Sequence, residues 1–214
     1  MTTKLFSPRI KRIKKWVRKR KAVSALLAVL LVGLIFAYAE YMNNRRLSVD
    51  PSSYGSLLGL IGKVESNGNY NAHFGNANNR DVRFTEMSID EVLKWQAEFV
   101  ANGSPSSAVG KYQILNTTLK SLVRDLNLDT SETFDEKMQD KLGTALLERR
   151  GSIAYVNEEI SKEEFAASLA KEWAALPKVV GDNPESSYYD GDGLNKSRVK
   201  TDEVLKAIDP ISPV

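Results

Sequence analysis

Leu57 to Ala72 reads LLGLIGKVESNGNYNA, and most of the chain can be read outward from it. Leu57, Ile61 and Val64 fall at i, i+4 and i+7, and Leu58 and Leu60 widen the stripe, which predicts a short helix laid against a core. Leu58, Ile61 and Glu65 follow i, i+3, i+7, so the carboxylate continues the buried edge of that helix. Asn67, Gly68 and Asn69 form a turn cluster that stops the helix and sets Glu65 in its last turn. A glutamate at a helix end is ordinarily a solvated charge. Here desolvation and the negative end of the helix dipole both disfavour ionisation, so the group is expected to stay protonated closer to neutral pH, as a general acid requires.

Two further stretches bear on that reading. Ser107-Ala108-Val109-Gly110-Lys111-Tyr112-Gln113-Ile114 is a small-residue turn running into a hydrophobic segment, and Glu172-Trp173-Ala174-Ala175-Leu176-Pro177 precedes a loop containing Ser187-Tyr188-Tyr189-Asp190-Gly191. With Glu65-Ser66 and Asn69-Tyr70-Asn71-Ala72 they resemble the lysozyme-like superfamily. There a catalytic "ES" is followed by N-x-x-A and by "G-A-x-G-x-x-Q-I/L", and the Trp173 segment is similar to the "W-A-S-L-P" region of lambda-type phage endolysins, which are lytic transglycosylases. The resemblance runs from about Tyr54 to Lys196. It departs from the pattern at Ser107 and Lys111.

Charge divides the chain. Met1 to Arg46 carries 12 Lys/Arg and one acid, a net +11, whereas the remainder holds 18 basic and 26 acidic residues, a net −8. A domain of that sign is not built for nucleic acid, whose phosphates call for a basic face. There is no cysteine, which excludes disulfides and cysteine metal sites, and with His73 the single histidine a Ser-His or Cys-His catalytic pair has little to work with; no metal and no cofactor are expected.

Lys4 to Lys21 holds ten basic residues and no acid, and Ala22 to Ala39 then runs eighteen positions without a charge. At ~1.5 Å per residue that run reaches roughly 27 Å, enough to span a bilayer core. The basic flank predicts a cytoplasmic N-terminus and a catalytic part on the far side, in a cell inner membrane or a virion membrane. Ala37-Tyr38-Ala39 before Glu40 also matches a signal-peptide cleavage site, and five alanines and one glycine suit an anchor that later leaves the bilayer. All three readings stand at this point.

Further on, Val82-Arg83-Phe84-Thr85 reads as a strand of a hairpin over Asn76 to Glu86. Ser88 with Glu91 and Ser161 with Glu164 form capping boxes, Asn116 is a candidate helix cap, Ser131 to Arg149 reads as one helix, and Asp202 to Ile208 as a terminal one. The expected fold is α+β and lysozyme-like, mostly helical with a small antiparallel sheet, preceded by one transmembrane helix. The expected divisions are a basic segment 1–21, a transmembrane helix 22–39, a linker 40–53, a catalytic domain 54–209 and a tail 210–214.

The resemblance implies cleavage of the β-1,4 bond between N-acetylmuramic acid and N-acetylglucosamine in peptidoglycan strands, with Glu65 catalytic and Ser66, Tyr112, Gln113, Tyr188 and Tyr189 at the substrate. One carboxylate suffices for a lytic transglycosylase, in which the muramic C6 hydroxyl attacks and a 1,6-anhydro end forms. A muramidase needs a second carboxylate, for which Asp81, Glu86 and Asp90 are the candidates in sequence. A murein-binding membrane protein without activity is the third reading.

Overall fold

Helix α1 spans Gly55–Ser66 and follows a single 3-10 turn, Pro51–Tyr54, whose start Asp50 caps by accepting from Ser52 N at 2.9 Å. In the computed structural model, which describes residues 16, 28–40 and 47–214, the chain divides into two units, Met1–Arg46 and Leu47–Val214. Within the first unit, 28–40 is helical with its side chains exposed, apolar Val29, Leu31 and Phe36 among them. The basic run, apart from Trp16, and 22–27 of the expected span lie outside the described residues. Among the described residues no helix is long and apolar enough to cross a membrane.

In the second unit α1 is followed by α2 (Ile89–Ala101), α3 (Asn116–Asp125), α4 (Glu136–Arg149), α5 (Ser152–Val156), α6 (Lys162–Ala170) and α7 (Thr201–Ile208). α1 packs most extensively on α7, with α4 also against it. Leu57 and Ile61 of α1, Leu142 of α4, Phe165 and Leu169 of α6 and Ile208 of α7 belong to one core cluster and are fully buried. Each such side chain contributes about 1.5–3 kcal/mol relative to exposure. Both capping boxes form: Ser88 Oγ accepts from Glu91 N while Glu91 Oε2 accepts from Ser88 N at 2.7 Å, and Ser161 and Glu164 do the same at α6.

Four expectations are corrected. Among the described residues there is no strand, only isolated antiparallel bridges such as His73 to Val109 and Val109 to Ile114. The segment read as a hairpin strand instead enters a 3-10 turn at Phe84–Glu86, because side-chain amides take over the backbone groups a ladder would have used. Asn79, 3% exposed, donates to Asn71 O and Val82 O, and Asn71 Oδ1 accepts from Thr85 N at 2.9 Å. Asn116 does not cap α3 but begins it, its amide donating to Leu93 O of α2 at 2.9 Å. α4 starts at Glu136, since Asp135 caps it by accepting from Met138 N at 2.8 Å. Finally, residues 47–50 and 211–214 are neither linker nor tail. Asp50 N donates to Ser212 O, Val214 N donates to Ser48 O, both at 2.9 Å, and Val49 and Ile211 are buried.

Candidate active site

Glu65 is the penultimate residue of α1. The helix stops where Asn67 takes a left-handed conformation (φ 55°), letting Asn67 N bond to Lys63 O at 3.1 Å and Gly68 N to Gly62 O at 2.9 Å. That closure points Glu65 at the segment after α6. Its Oε1 accepts from Ala175 N at 3.2 Å. The side chain keeps partial solvent access, yet its carboxyl is desolvated enough to push the pKa from 4.5 up to about 7. The Ala175 N–H and the Arg198 charge pull the other way without overcoming burial. Arg198 is fixed by its own backbone N–H, which donates to Ala175 O at 2.9 Å, and its Nη1 lies 3.4 Å from Val64 O. With Oε1 taken by a backbone donor, Oε2 is the oxygen free to hold the proton when the carboxyl is neutral.

The three sequence stretches are bonded to one another around this group. Ser66 Oγ lies 2.8 Å from Lys111 O and 3.0 Å from Gly62 O; Tyr112 O accepts from Trp173 Nε1 at 3.1 Å; and Ala175, two residues past Trp173, returns to Glu65. Gly110 (φ 76°) sits at the centre of the second stretch. A Cβ there would lie 2.3 Å from Gln139 Oε1, so only glycine admits that amide. Gln139 is fully buried and serves three backbone groups: it accepts from Lys111 N at 2.9 Å and donates to Tyr70 O at 3.0 Å and Phe134 O at 3.1 Å. Beside it, Asp140 accepts from Tyr112 OH at 2.6 Å, Tyr70 OH at 2.9 Å and Lys111 Nζ at 3.2 Å. Burial, then the Asp140 carboxylate, hold the Tyr112 phenol well above its ordinary pKa. Gly62 leaves room for the Lys111 stem to lie on α1, where a Cβ would meet it at 2.7 Å.

Substrate contact expected of Ser66 and Tyr112 therefore takes another form. Both are buried, at 0% and 1% exposure, with their hydroxyls spent inside the protein, and they brace the loop behind Glu65. Gln113 (φ 48°) is partly exposed, and its amide donates to Gly110 O at 2.9 Å. Tyr188 and Tyr189 are exposed, at 39% and 40%, on the loop that Ser187 ties to Ala174 O at 2.8 Å. Tyr189 OH donates to Lys171 O, and Lys171 and Lys178 Nζ stand 5.8 and 5.9 Å from the Tyr188 ring. Asp81, Glu86 and Asp90 are all exposed, Glu86 in an ion pair with Arg83 at 3.2 Å. Among the described residues no group of His, Asp and Glu could hold a metal ion.

Sequence reasoning missed Arg198, Asp140 and Gln139. Nothing in the sequence marks Arg198. Gln139, three residues before Leu142 and seven before Leu146, occupies the apolar stripe of α4, and a polar residue on such a stripe is a signal of a buried clamp.

A carboxylic acid whose pKa burial raises to about 7, at the end of a core helix and braced by two loops, suits a glycosidase-type site on a mostly helical, lysozyme-like fold. A family model described as Endolysin matches residues 58–191, and the chain belongs to that family. Membership puts the chain among peptidoglycan-degrading enzymes, and the matched span contains all six expected site residues. Comparison with curated proteins and with solved structures gave no match.

Proposed function

We propose that the protein is a lytic transglycosylase, with Glu65 acting first as acid and then as base on the bond between N-acetylmuramic acid and N-acetylglucosamine. The observation that carries this is the desolvated Glu65 at the end of α1, while the three carboxylates weighed as its second group, Asp81, Glu86 and Asp90, are all exposed. Glu65 Oε2 gives its proton to the glycosidic oxygen as the bond to muramic C1 breaks. The resulting carboxylate, stabilised by Ala175 N–H and Arg198, then takes the proton of the muramic C6 hydroxyl as that oxygen bonds to C1. Glu65 is restored and no water is consumed. Tyr188 and Tyr189 offer exposed aromatic faces to the sugars, and Gln113 a polar group at the loop edge. Digested sacculi should accordingly carry 1,6-anhydromuramic ends by mass spectrometry. Reducing ends, with a large loss of activity on amide replacement of Asp81, Glu86 or Asp90, would assign a muramidase instead.

The same reading holds residues 22–39 as a single-pass anchor, with the N-terminus cytoplasmic and Leu47–Val214 beyond the membrane. It is supported by the uncharged run and its basic flank. Full-length expression should leave a membrane-bound species of full mass; a mature chain beginning at Glu40 would show cleavage.

A further inference from the structure

A cavity of about 410 Å³ opens beside the end of α1, lined not by Glu65 but by the turn that follows it. Asn67 and Asn69 form one side, two and four residues past Glu65; Asn78, Asn79, Arg80 and Arg83 form the rest of the polar lining that matters here. The mechanism above uses none of these side chains.

The wall is built before any ligand arrives. Asn69 Nδ2 donates to Ala77 O at 2.9 Å and Asn79 O at 3.0 Å, and its Oδ1 accepts from Asn71 N at 2.9 Å. Buried Asn79 has both sides of its amide spent, donating to Asn71 O and Val82 O and accepting from Asp81 N and Val82 N. The groups left facing solvent are Asn67, Asn78, Arg80 and Arg83, all exposed. No carboxylate lines the cavity. In a folded unit of net charge −8, this lining carries two cations and no anion. Asp81, between the two arginines in sequence, is exposed and lies outside the lining. Glu86 pairs with Arg83 at 3.2 Å while both are about two thirds exposed, so the pair orients that guanidinium and neutralises it weakly. Arg80 makes no ion pair among the described residues.

We propose that this cavity is a carboxylate subsite that receives the acid of the peptide stem on muramic acid, with Arg80 and Arg83 as its cations and Asn67 and Asn78 meeting the stem's amides. The inference rests on the peptidoglycan reading of the Glu65 site and adds to it a means of choosing stem-bearing over bare glycan. The chemistry fits. A guanidinium fork matches a carboxylate in two parallel hydrogen bonds, amide side chains pair with peptide groups, and the volume falls within the range usual for small-ligand sites, roughly 300–1,000 Å³. A stem hangs from the same sugar whose C1 bond is cut, and the cavity wall begins at Asn67, the residue that caps the helix carrying Glu65. A nucleic-acid phosphate chain would meet the unit's negative surface over the rest of its length.

The test is binding, measured by titration calorimetry on the full-length protein in detergent with three probes: N-acetylmuramoyl-L-alanyl-D-glutamate, its diamide, and N-acetylmuramic acid alone. The diacid should bind about tenfold more tightly than the diamide, as one charge-assisted contact gives, and Arg80→Gln/Arg83→Gln should remove that ratio while leaving diamide affinity and melting temperature unchanged. Equal affinity for diacid and diamide in the wild type would overturn the proposal. Muramic acid binding as tightly as the diacid would overturn it in favour of the sugar's own lactyl acid, and equal loss of both peptides in the variant would make the arginines part of the sugar site. Digestion of sacculi reads the cleavage function separately. A protein that prefers the diacid and cuts nothing would keep this subsite and lose the transglycosylase reading.

Discussion

Glu65→Gln lowers sacculus digestion by about 10²–10⁴-fold, the contribution general acid catalysis usually makes, while the helix and its packing stay intact. The substitution keeps the volume and can still accept from Ala175 N, but it has no proton to transfer. In the wild type the acid form is needed at the start of the cycle, so activity falls as pH rises through about 7. Stability follows with a definite sign. The carboxyl's pKa is about 7 in the fold against 4.5 for the ordinary group. Between those values the folded state binds more proton than the unfolded one, and stability is lost as pH rises across that window. Glutamine has no such cost. The variant should melt above the wild type at pH 8 and gain less at pH 5. Digestion within threefold of wild type, or a melting difference that does not change between those two pH values, would remove Glu65 from its role.

Gln139→Leu is expected to cost about 2–5 kcal/mol, because the buried Phe134 O and the partly buried Lys111 N and Tyr70 O lose their partner together. A single unsatisfied buried group costs roughly 1–3 kcal/mol, and neighbouring losses do not add fully. Leucine is close in volume, so a cavity is not the cause. For a unit of this size the melting temperature should fall by ~4–20 °C. Activity should fall with it at temperatures where the fold persists, since Lys111 O holds Ser66 and Tyr112 O holds Trp173. A fall of less than about 2 °C would show that water or a shifted backbone replaces the amide.

The same buried amides explain which parts of the structure were legible in the sequence. α1, α2 and α6 were, because apolar spacing and capping boxes are local and each agrees with the burial it creates: Leu57, Ile61, Val92 and Phe165 are all fully buried. Glu65 at its helix end was legible for the same reason. The region between α1 and α2 was not. Val82 to Thr85 has the composition of a strand, but Asn69, Asn71 and Asn79 supply side-chain partners from up to fourteen residues away, and no periodicity encodes that exchange. α5 is one turn and a half long and follows Gly151 with no capping side chain, so it left no pattern. Ser66 and Tyr112 were found by motif, but a motif does not say which way a side chain faces. Their burial depends on Lys111 and Asp140, which come from separate segments.

The packing of α1 on α7 ties catalysis to the order of synthesis. The helix that carries Glu65 is made about 135 residues before the helix it leans on most, and the residues that pair with Ser48 and Asp50 come after that. Joining the two closes a loop of nearly the whole folded unit, an entropic cost that only the completed contact repays. Until Thr201 to Ile211 has been made, a nascent chain holds every site residue but lacks the main support of the acid. A chain that stops before Thr201 is therefore expected to carry Glu65 on a helix whose largest packing surface is uncovered.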